Sequence, residues 1–246
     1  MPVVGFACSR GRVRFETCLQ ECAPGAEPPC KYPYAVLAGI MKGIRGPQPP
    51  NEVTATELTG CLLRAYCRRS QAAFVKPTAA FWAFRGQMAH AIAQGCAAPG
   101  ALVEQRIAVP LDGLILSGQP DTLEPIPDAG YRLLDYKSTM RLPHAPRSHH
   151  LRQVDIYSYL GLATGIAVRQ AVLIYFDMSG LLSFARPVDS AQVRAFVETA
   201  VLPQAQALVQ AVQSGNAPSP GPFREDWECG YCDYSRDCAH KKRRGK

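Results

Sequence analysis

Apolar residues along this chain recur at two spacings, and the switch between them lays out its elements. From Thr54 to about Arg69, and again from Thr78 through FWAFRGQMAHAIAQ, they return every three or four positions, as on a helix with one buried face. Thr54 with Glu57 has the form of a capping box, and Pro77 precedes the second segment, so both starts carry a helix signal. After residue 100 the pattern shortens to the runs Leu102–Val109, Leu114–Gly118 and Tyr131–Tyr136, separated by Pro, Asp and Gly, which predicts an antiparallel meander. Helical spacing returns over 150–164, HLRQVDIYSYLGLAT. Val168–Phe176 predicts a buried strand, paired with Leu181–Pro187 through a turn at Ser179-Gly180. Asp189 then caps a helix to about Gln213, bent or broken near Pro203.

Two stretches interrupt this pattern. PYAVLAGIMKGIRGPQPP, residues 33–50, ends in Gly and Pro and reads as a linker, with a boundary near Pro47–Asn51. Ser214–Pro222 reads as a second linker, leading into the last cysteine group. The expected organisation is an N-terminal extension over 1–50, a main domain over 51–240 and a basic tail over 241–246. No internal repeat is present.

Composition narrows the class. A chain of 246 residues with 47% apolar and 19% charged residues suits a folded globular protein rather than a disordered one. The net charge of +7, partly in the tail Lys241-Lys242-Arg243-Arg244-Gly245-Lys246, suits a polyanionic partner such as nucleic acid without requiring one. The start MPVVGFACSRGRVRF lacks a basic segment followed by an apolar core, and no uncharged apolar run approaches the ~18–20 residues that cross a bilayer. The expected location is therefore the cytoplasm, with no membrane partner. In that reducing setting the ten cysteines point to metal or cluster ligation rather than to disulfides.

The stretch GQPDTLEPIPDAGYRLLDYKST, residues 118–139, carries the chemistry. With Asp121 at the end of the second strand, the run Leu114–Gly118, Asp135 on the third and a tight connection over Pro125–Gly130, a hairpin brings both carboxylates to one end of a sheet. Asp135 and Lys137 are two apart on a strand and share a face, with Tyr136 on the other. Two close carboxylates repel unless a cation lies between them, and a hard divalent ion such as Mg²⁺ or Mn²⁺ suits oxygen ligands. A lysine alongside can orient a water or neutralise charge on phosphorus, so the parts fit phosphodiester hydrolysis. The same residues also suit a plain surface hairpin, since Asp121-Thr122 and Asp128 are good turn formers.

The order of the surrounding residues adds to this. Gly118-Gln-Pro-Asp121, then Asp135-Tyr-Lys137, then Gln153-Val-Asp-Ile-Tyr157, preceded by Arg85-Gly86-Gln-Met-Ala-His90, resembles the PD-(D/E)XK nuclease superfamily in its RecB-like branch. That branch shows R-G-x-x-x-H, G-x-x-D, D/E-x-K and Q-x-x-x-Y in this order. The resemblance implies an α/β, restriction-endonuclease-like core, a mixed central sheet flanked by helices. It implies that His90, Asp121, Asp135 and the backbone carbonyl of Tyr136 are ligands of Mg²⁺ or Mn²⁺, and that Lys137 is the catalytic lysine. It makes Gln153 and Tyr157, four apart on one helical face, supports of the site and contacts to DNA. The implied activity is that of a DNA nuclease, an exonuclease on single-stranded ends. The competing expectation is a DNA-end-binding or adaptor subunit of a recombination or CRISPR-adaptation complex, with a silent or partner-dependent site. Glu104 is an added candidate facing the site, while His144, His149 and His150 read as solvated residues of a polar loop.

The cysteines form groups. Cys229-Gly-Tyr-Cys232 and Cys238 have C-x2-C-x5-C spacing, which usually ligates metal. Thr59-Gly-Cys61-Leu-Leu-Arg64-Ala-Tyr66 resembles the N-terminal cysteine segment of the iron–sulfur nucleases of this branch, the CRISPR-associated Cas-four type and the AddB type. By that resemblance Cys61, Cys229, Cys232 and Cys238 hold a 4Fe–4S cluster in a lobe joining N- and C-terminal segments, with zinc as the other possible occupant. Cys67 is the less favoured fourth ligand, and Cys96 reads as a small buried residue. Cys8, Cys18, Cys22 and Cys30 are a separate set, read as a zinc site in the N-terminal extension or as unpaired thiols.

Overall fold

The computed structural model describes residues 3–22, 32–44, 46, 48–235, 238 and 240. The chain opens with a hairpin of β1 (Val3–Cys8) and β2 (Gly11–Arg14), followed by the short helix α1 (Phe15–Thr17), a π-turn over Cys18–Cys22 and α2 (Tyr34–Lys42). Then come β3 (Glu52–Thr54), α3 (Leu62–Ser70) and β4 (Ala73–Val75). β4 pairs in parallel with β1, so the N-terminal hairpin and a strand beyond the linker share the sheet β2-β1-β4.

A single helix from Thr54 to Arg69 does not form. Glu57 accepts the Thr54 N–H at 3.0 Å, as a capping box requires, but it opens only a 3₁₀ turn, Ala55–Leu58, and α3 starts afresh at Leu62. The break has a tertiary cause. The Cys61 N–H donates to Glu228 Oε2 at 3.0 Å, and a Cβ at Gly60 would lie 2.7 Å from the same oxygen. A carboxylate from the far end of the chain thus takes the amide that would have continued the turn.

Helix α4 (Pro77–Gly95) begins at its proline, where the missing N–H costs nothing. Its Phe81 and Phe84 pack with Leu37 and Ile40 of α2 and with Phe6 in a small N-terminal core. Gly39 allows this approach, because a Cβ there would meet the Phe84 ring at 2.7 Å. The N-terminal segment therefore braces the back of α4.

The meander divides between two sheets. β5 (Leu102–Val103) ends where Glu104 turns to φ 45°, so Leu102–Val109 is not one strand, and β6 (Ile107–Leu111) pairs with β7 (Leu114–Gly118) instead. These two join β3 as the sheet β3-β7-β6. β8 (Thr122–Ile126) pairs with β9 (Gly130–Ser138), taking residues expected in the connection; only Pro127–Ala129 remain as the turn, with Asp128 at φ 57°. Helix α5 (Ser148–Ala163) crosses to β10 (Val168–Phe176), parallel to β9, and β11 (Leu181–Pro187) returns antiparallel. The central sheet is thus the mixed β11-β10-β9-β8-β5.

Asp189 caps α6 (Ser190–Phe196), its Oδ1 accepting from the Ala191 and Gln192 N–H groups at 2.9 and 3.1 Å. A π-turn over Val197–Val201 leads into α7 (Leu202–Ser214), placing the irregularity next to Pro203, which cannot donate to the preceding turn. The main core, including Leu133, Leu160, Leu173, Val201 and Leu208, lies where α5 to α7 cover the sheets. This mixed α/β arrangement of sheets flanked by helices is that of a restriction-endonuclease-like core. Among the described residues no helix is long and apolar enough to cross a membrane.

Candidate active site

Asp121 does not end the Leu114–Gly118 strand, which joins the other sheet, but immediately precedes β8; Thr122 pairs with Leu134, so Asp121 and Asp135 meet one step beyond, where β8 stops and β9 runs on. Asp135 is almost wholly enclosed, 1% exposed, in the floor of the site. Lys137 bends back over it, with Nζ 2.7 Å from Asp135 Oδ2 but off the line of a hydrogen bond, so that this buried oxygen keeps no aligned donor. The amine instead donates to Gln153 Oε1 at 3.1 Å, and Gln153 Nε2 donates to Tyr157 Oη at 2.8 Å. Strand β9 and helix α5 are thereby joined by one polar chain, Asp135–Lys137–Gln153–Tyr157. The Tyr157 ring presses on the backbone of Gly118, where a Cβ would lie 2.7 Å away.

Helix α4 supplies the opposite wall. Arg85 Nη2 donates to Ser138 Oγ at 2.8 Å and to the Thr139 carbonyl at 3.0 Å, fastening the helix to the end of β9. This brings His90 over Tyr136, its Nε2 2.9 Å from the Tyr136 carbonyl and its Nδ1 3.3 Å from Asp121 Oδ1. Asp121 is pinned in turn, Oδ2 accepting the Tyr136 N–H at 2.7 Å. Both ring nitrogens of His90 face acceptors, the arrangement of an imidazolium.

Electrostatics agree with this geometry. Burial pushes the Asp135 carboxyl above its usual range, against the opposing pull of Lys137. Burial lowers the Lys137 amine, but the charges of Asp135 and Asp121 outweigh it and the group is held above its ordinary value. His90 follows the same pattern: burial lowers it, the hydrogen bond and charge of Asp121 raise it, and the net shift is upward.

These donors suit a hard divalent cation. Two carboxylates and a carbonyl are oxygen-rich and acidic, and His90 adds a nitrogen ligand once it gives up the proton that faces the Tyr136 carbonyl. Among the described residues no three such donors are drawn together as a finished ligand set, since Asp135 is turned to Lys137 and His90 is paired with Asp121.

The structure brings His90, Asp121, Asp135, the Tyr136 carbonyl, Lys137, Gln153 and Tyr157 together. Glu104 does not join them: its side chain is exposed, and its backbone N–H donates to the Asp121 carbonyl at 3.0 Å, because the turn after β5 directs it outward. His149 and His150 are not loop residues but lie in the first turn of α5, where His150 Nδ1 is 2.8 Å from Tyr175 Oη. Tyr175 carries no signal in the sequence, and Arg85, though it heads the R-G-x-x-x-H pattern, has its tie to Ser138 and Thr139 only in the fold, since no local spacing links β10 or α4 to the end of β9.

A second site lies against α3. Cys61, Cys67, Cys229, Cys232 and Cys238 line one cavity of about 490 Å³, with Arg64, Arg224 and Glu228 also on its wall. Cys67 thus stands beside the four expected thiols. Burial raises the Cys61 thiol, and burial raises that of Cys67, with nearby Cys232, Cys238 and Cys61 adding to the effect. Of the N-terminal set, Cys8, Cys18 and Cys22 border one small pocket, and Arg10 Nη1 lies 2.7 Å from Cys22 Sγ. Cys30 lies outside the described residues. Cys96, expected to be buried, is exposed, because it falls just past the end of α4 where the chain turns into solvent.

A family model described as the PD-(D/E)XK nuclease superfamily matches residues 98–239, more than half of the chain and the whole span from β5 to the last cysteines. The chain belongs to the PD-(D/E)XK nuclease superfamily. Among solved structures, that of SSO0001 aligns with a TM-score of 0.62 and 17% identity, covering 85% of this chain and 96% of that one, a likeness of fold. An alkaline exonuclease from Laribacter hongkongensis aligns with a TM-score of 0.40 and 14% identity over 68% of this chain and 90% of its own. No curated protein sequence matches the chain. A PD-(D/E)XK nuclease has DNA as its substrate class and typically uses divalent metal ions.

Proposed function

We propose that this member is a metal-dependent DNA nuclease, an exonuclease acting on single-stranded ends, of the Cas-four or AddB iron–sulfur type. One observation carries the reading: Asp121 and Asp135 converge at the end of β8 and β9 with Lys137 2.7 Å from Asp135, inside a nuclease-family core. His90, Asp121, Asp135 and the Tyr136 carbonyl would hold Mg²⁺ or Mn²⁺, which supplies a polarised water and neutralises phosphate charge. Lys137, oriented by Gln153, places its ammonium beside the scissile phosphate and stabilises charge developing there. Tyr157 holds Gln153 in place, and the buried floor around Asp135 keeps bulk water from screening these charges.

Cys61, Cys229, Cys232 and Cys238 would hold a 4Fe–4S cluster whose role is to join α3 to the C-terminal segment. Its support is that these four thiols line one cavity, although they are far apart in the chain. Residues 51–240 then form the nuclease domain, and residues 1–50 an extension that braces α4.

The test is digestion of end-labelled single-stranded DNA with Mg²⁺ or Mn²⁺. Asp135→Ala and Lys137→Ala are expected to lower the rate by roughly 100-fold or more. Cutting by either variant at the parent's rate overturns the assignment.

A further inference from the structure

Trp82 is an expensive residue to leave where it stands. It lies on α4 at 45% exposure and packs into neither hydrophobic core, although its helix neighbours Phe81 and Phe84 both do. The indole is nevertheless held in place. The Arg85 guanidinium lies over its ring at 4.4 Å, and the same guanidinium is tied to Ser138 Oγ and the Thr139 carbonyl, one and two residues beyond Lys137. An exposed aromatic plane is thus fastened, through one arginine, to the strand that carries the reacting groups. Met140, 80% exposed, follows directly and extends the apolar surface.

The surroundings suit a nucleic-acid strand. Helix α4 contains no acidic residue, and the segment 139–150, TMRLPHAPRSHH, carries arginines and histidines but no carboxylate. Trp82 is eight residues from His90 on the same helix, which at 1.5 Å per residue puts it about 12 Å along the axis from the site. A base inside a duplex is stacked on both faces and has no free plane to offer, whereas an unpaired base can lie on an indole whatever its identity.

Resting on the nuclease reading above, we propose that Trp82, clamped by Arg85, is a base-stacking subsite for the unpaired strand next to the cleavage site, and that it makes the enzyme prefer single-stranded over duplex ends. Trp82 would contact a base, and Arg85 would be its positioning residue.

The experiment uses the full chain in chelator, so that no DNA is cut, with an oligothymidylate and a blunt duplex of equal length as probes. In a Trp227→Phe background, which leaves Trp82 as the remaining tryptophan, the oligothymidylate is expected to quench the fluorescence and the duplex to leave it nearly unchanged. Trp82→Ala is expected to weaken oligothymidylate binding about 5- to 100-fold, with duplex affinity moving less than about twofold and Trp82→Phe keeping most of the affinity. Unaltered oligothymidylate binding by Trp82→Ala, or an equal loss for both probes, overturns the subsite while leaving the nuclease reading intact. Failure of the parent to bind the oligothymidylate overturns the subsite, while the nuclease reading is decided separately by the digestion assay with Mg²⁺ or Mn²⁺.

Discussion

Individual side chains in this protein are set by what surrounds them more than by their type. His150 shows this most plainly. Its Nδ1 is 2.8 Å from Tyr175 Oη, which also accepts the Arg147 N–H at 3.0 Å, so the ring is enclosed beside a neutral phenol rather than a carboxylate. Burial, with the charges of Lys137, His149 and Arg147, lowers its pKa to about 2. The consequence for stability has a definite sign. Above pH 6.5 the ring is neutral whether the chain is folded or not. Below it the unfolded chain takes up a proton that the folded one refuses, so stability falls as the pH drops. Between pH 7 and 5 His150→Gln should reduce the loss of unfolding free energy by about 1–2 kcal/mol relative to the parent. Denaturant midpoints at the two pH values measure this, and parallel curves for the two proteins would contradict it. Nothing in the sequence marks His150 out from His144 or His149, since the partner that decides its state sits on β10.

Among the elements, the hairpin β8–β9 and the helix α5 make the site, and their junction is tight. Gly118 ends β7 directly beneath Tyr157, where an added Cβ would sit 2.7 Å from the ring and 2.8 Å from Leu160. Gly118→Ala must push α5 off the sheet, at a cost of about 1–3 kcal/mol. It should also lower turnover, because Gln153 and Tyr157 move with the helix; a thermal melt and a rate measured on the same preparation test both effects. Element types follow the periodicity wherever packing and propensity agree. Val168–Phe176 and Leu181–Pro187 form the strands that their patterns predict. The pattern fails where a distant group intervenes, as at Gly60–Cys61, or where a polar residue pairs in a strand, as Glu124 does within β8.

At the scale of the whole molecule, the cysteine cavity ties residues 61 and 67 to residues 229–238 across the entire nuclease core. A cluster held there closes a loop of well over a hundred residues, which removes conformations mainly from the unfolded chain. If the proposed cluster is held there, Cys229→Ser releases iron and lowers the melting temperature by several degrees, with the secondary structure of the central sheet retained. Iron content and the absorbance near 400 nm, set beside the thermal melt, decide this; a variant that keeps its iron and its stability would mean that the cavity is not the cluster site.

The linear order of residues was enough to nominate the candidate groups: a carboxylate, a second carboxylate with a lysine two positions on, and a glutamine with a tyrosine four positions on. Strand and helix periods alone decide that such residues share a face, so these groups were legible in advance. Which faces then meet depends on contacts between segments far apart in the chain. Only the fold set the Arg85 clamp, the Glu228 carboxylate that splits the Thr54–Arg69 segment, the division of the meander into two sheets, and the fifth thiol at the cavity. Local spacing reports what a segment can bury, but it carries no information on what will bury it.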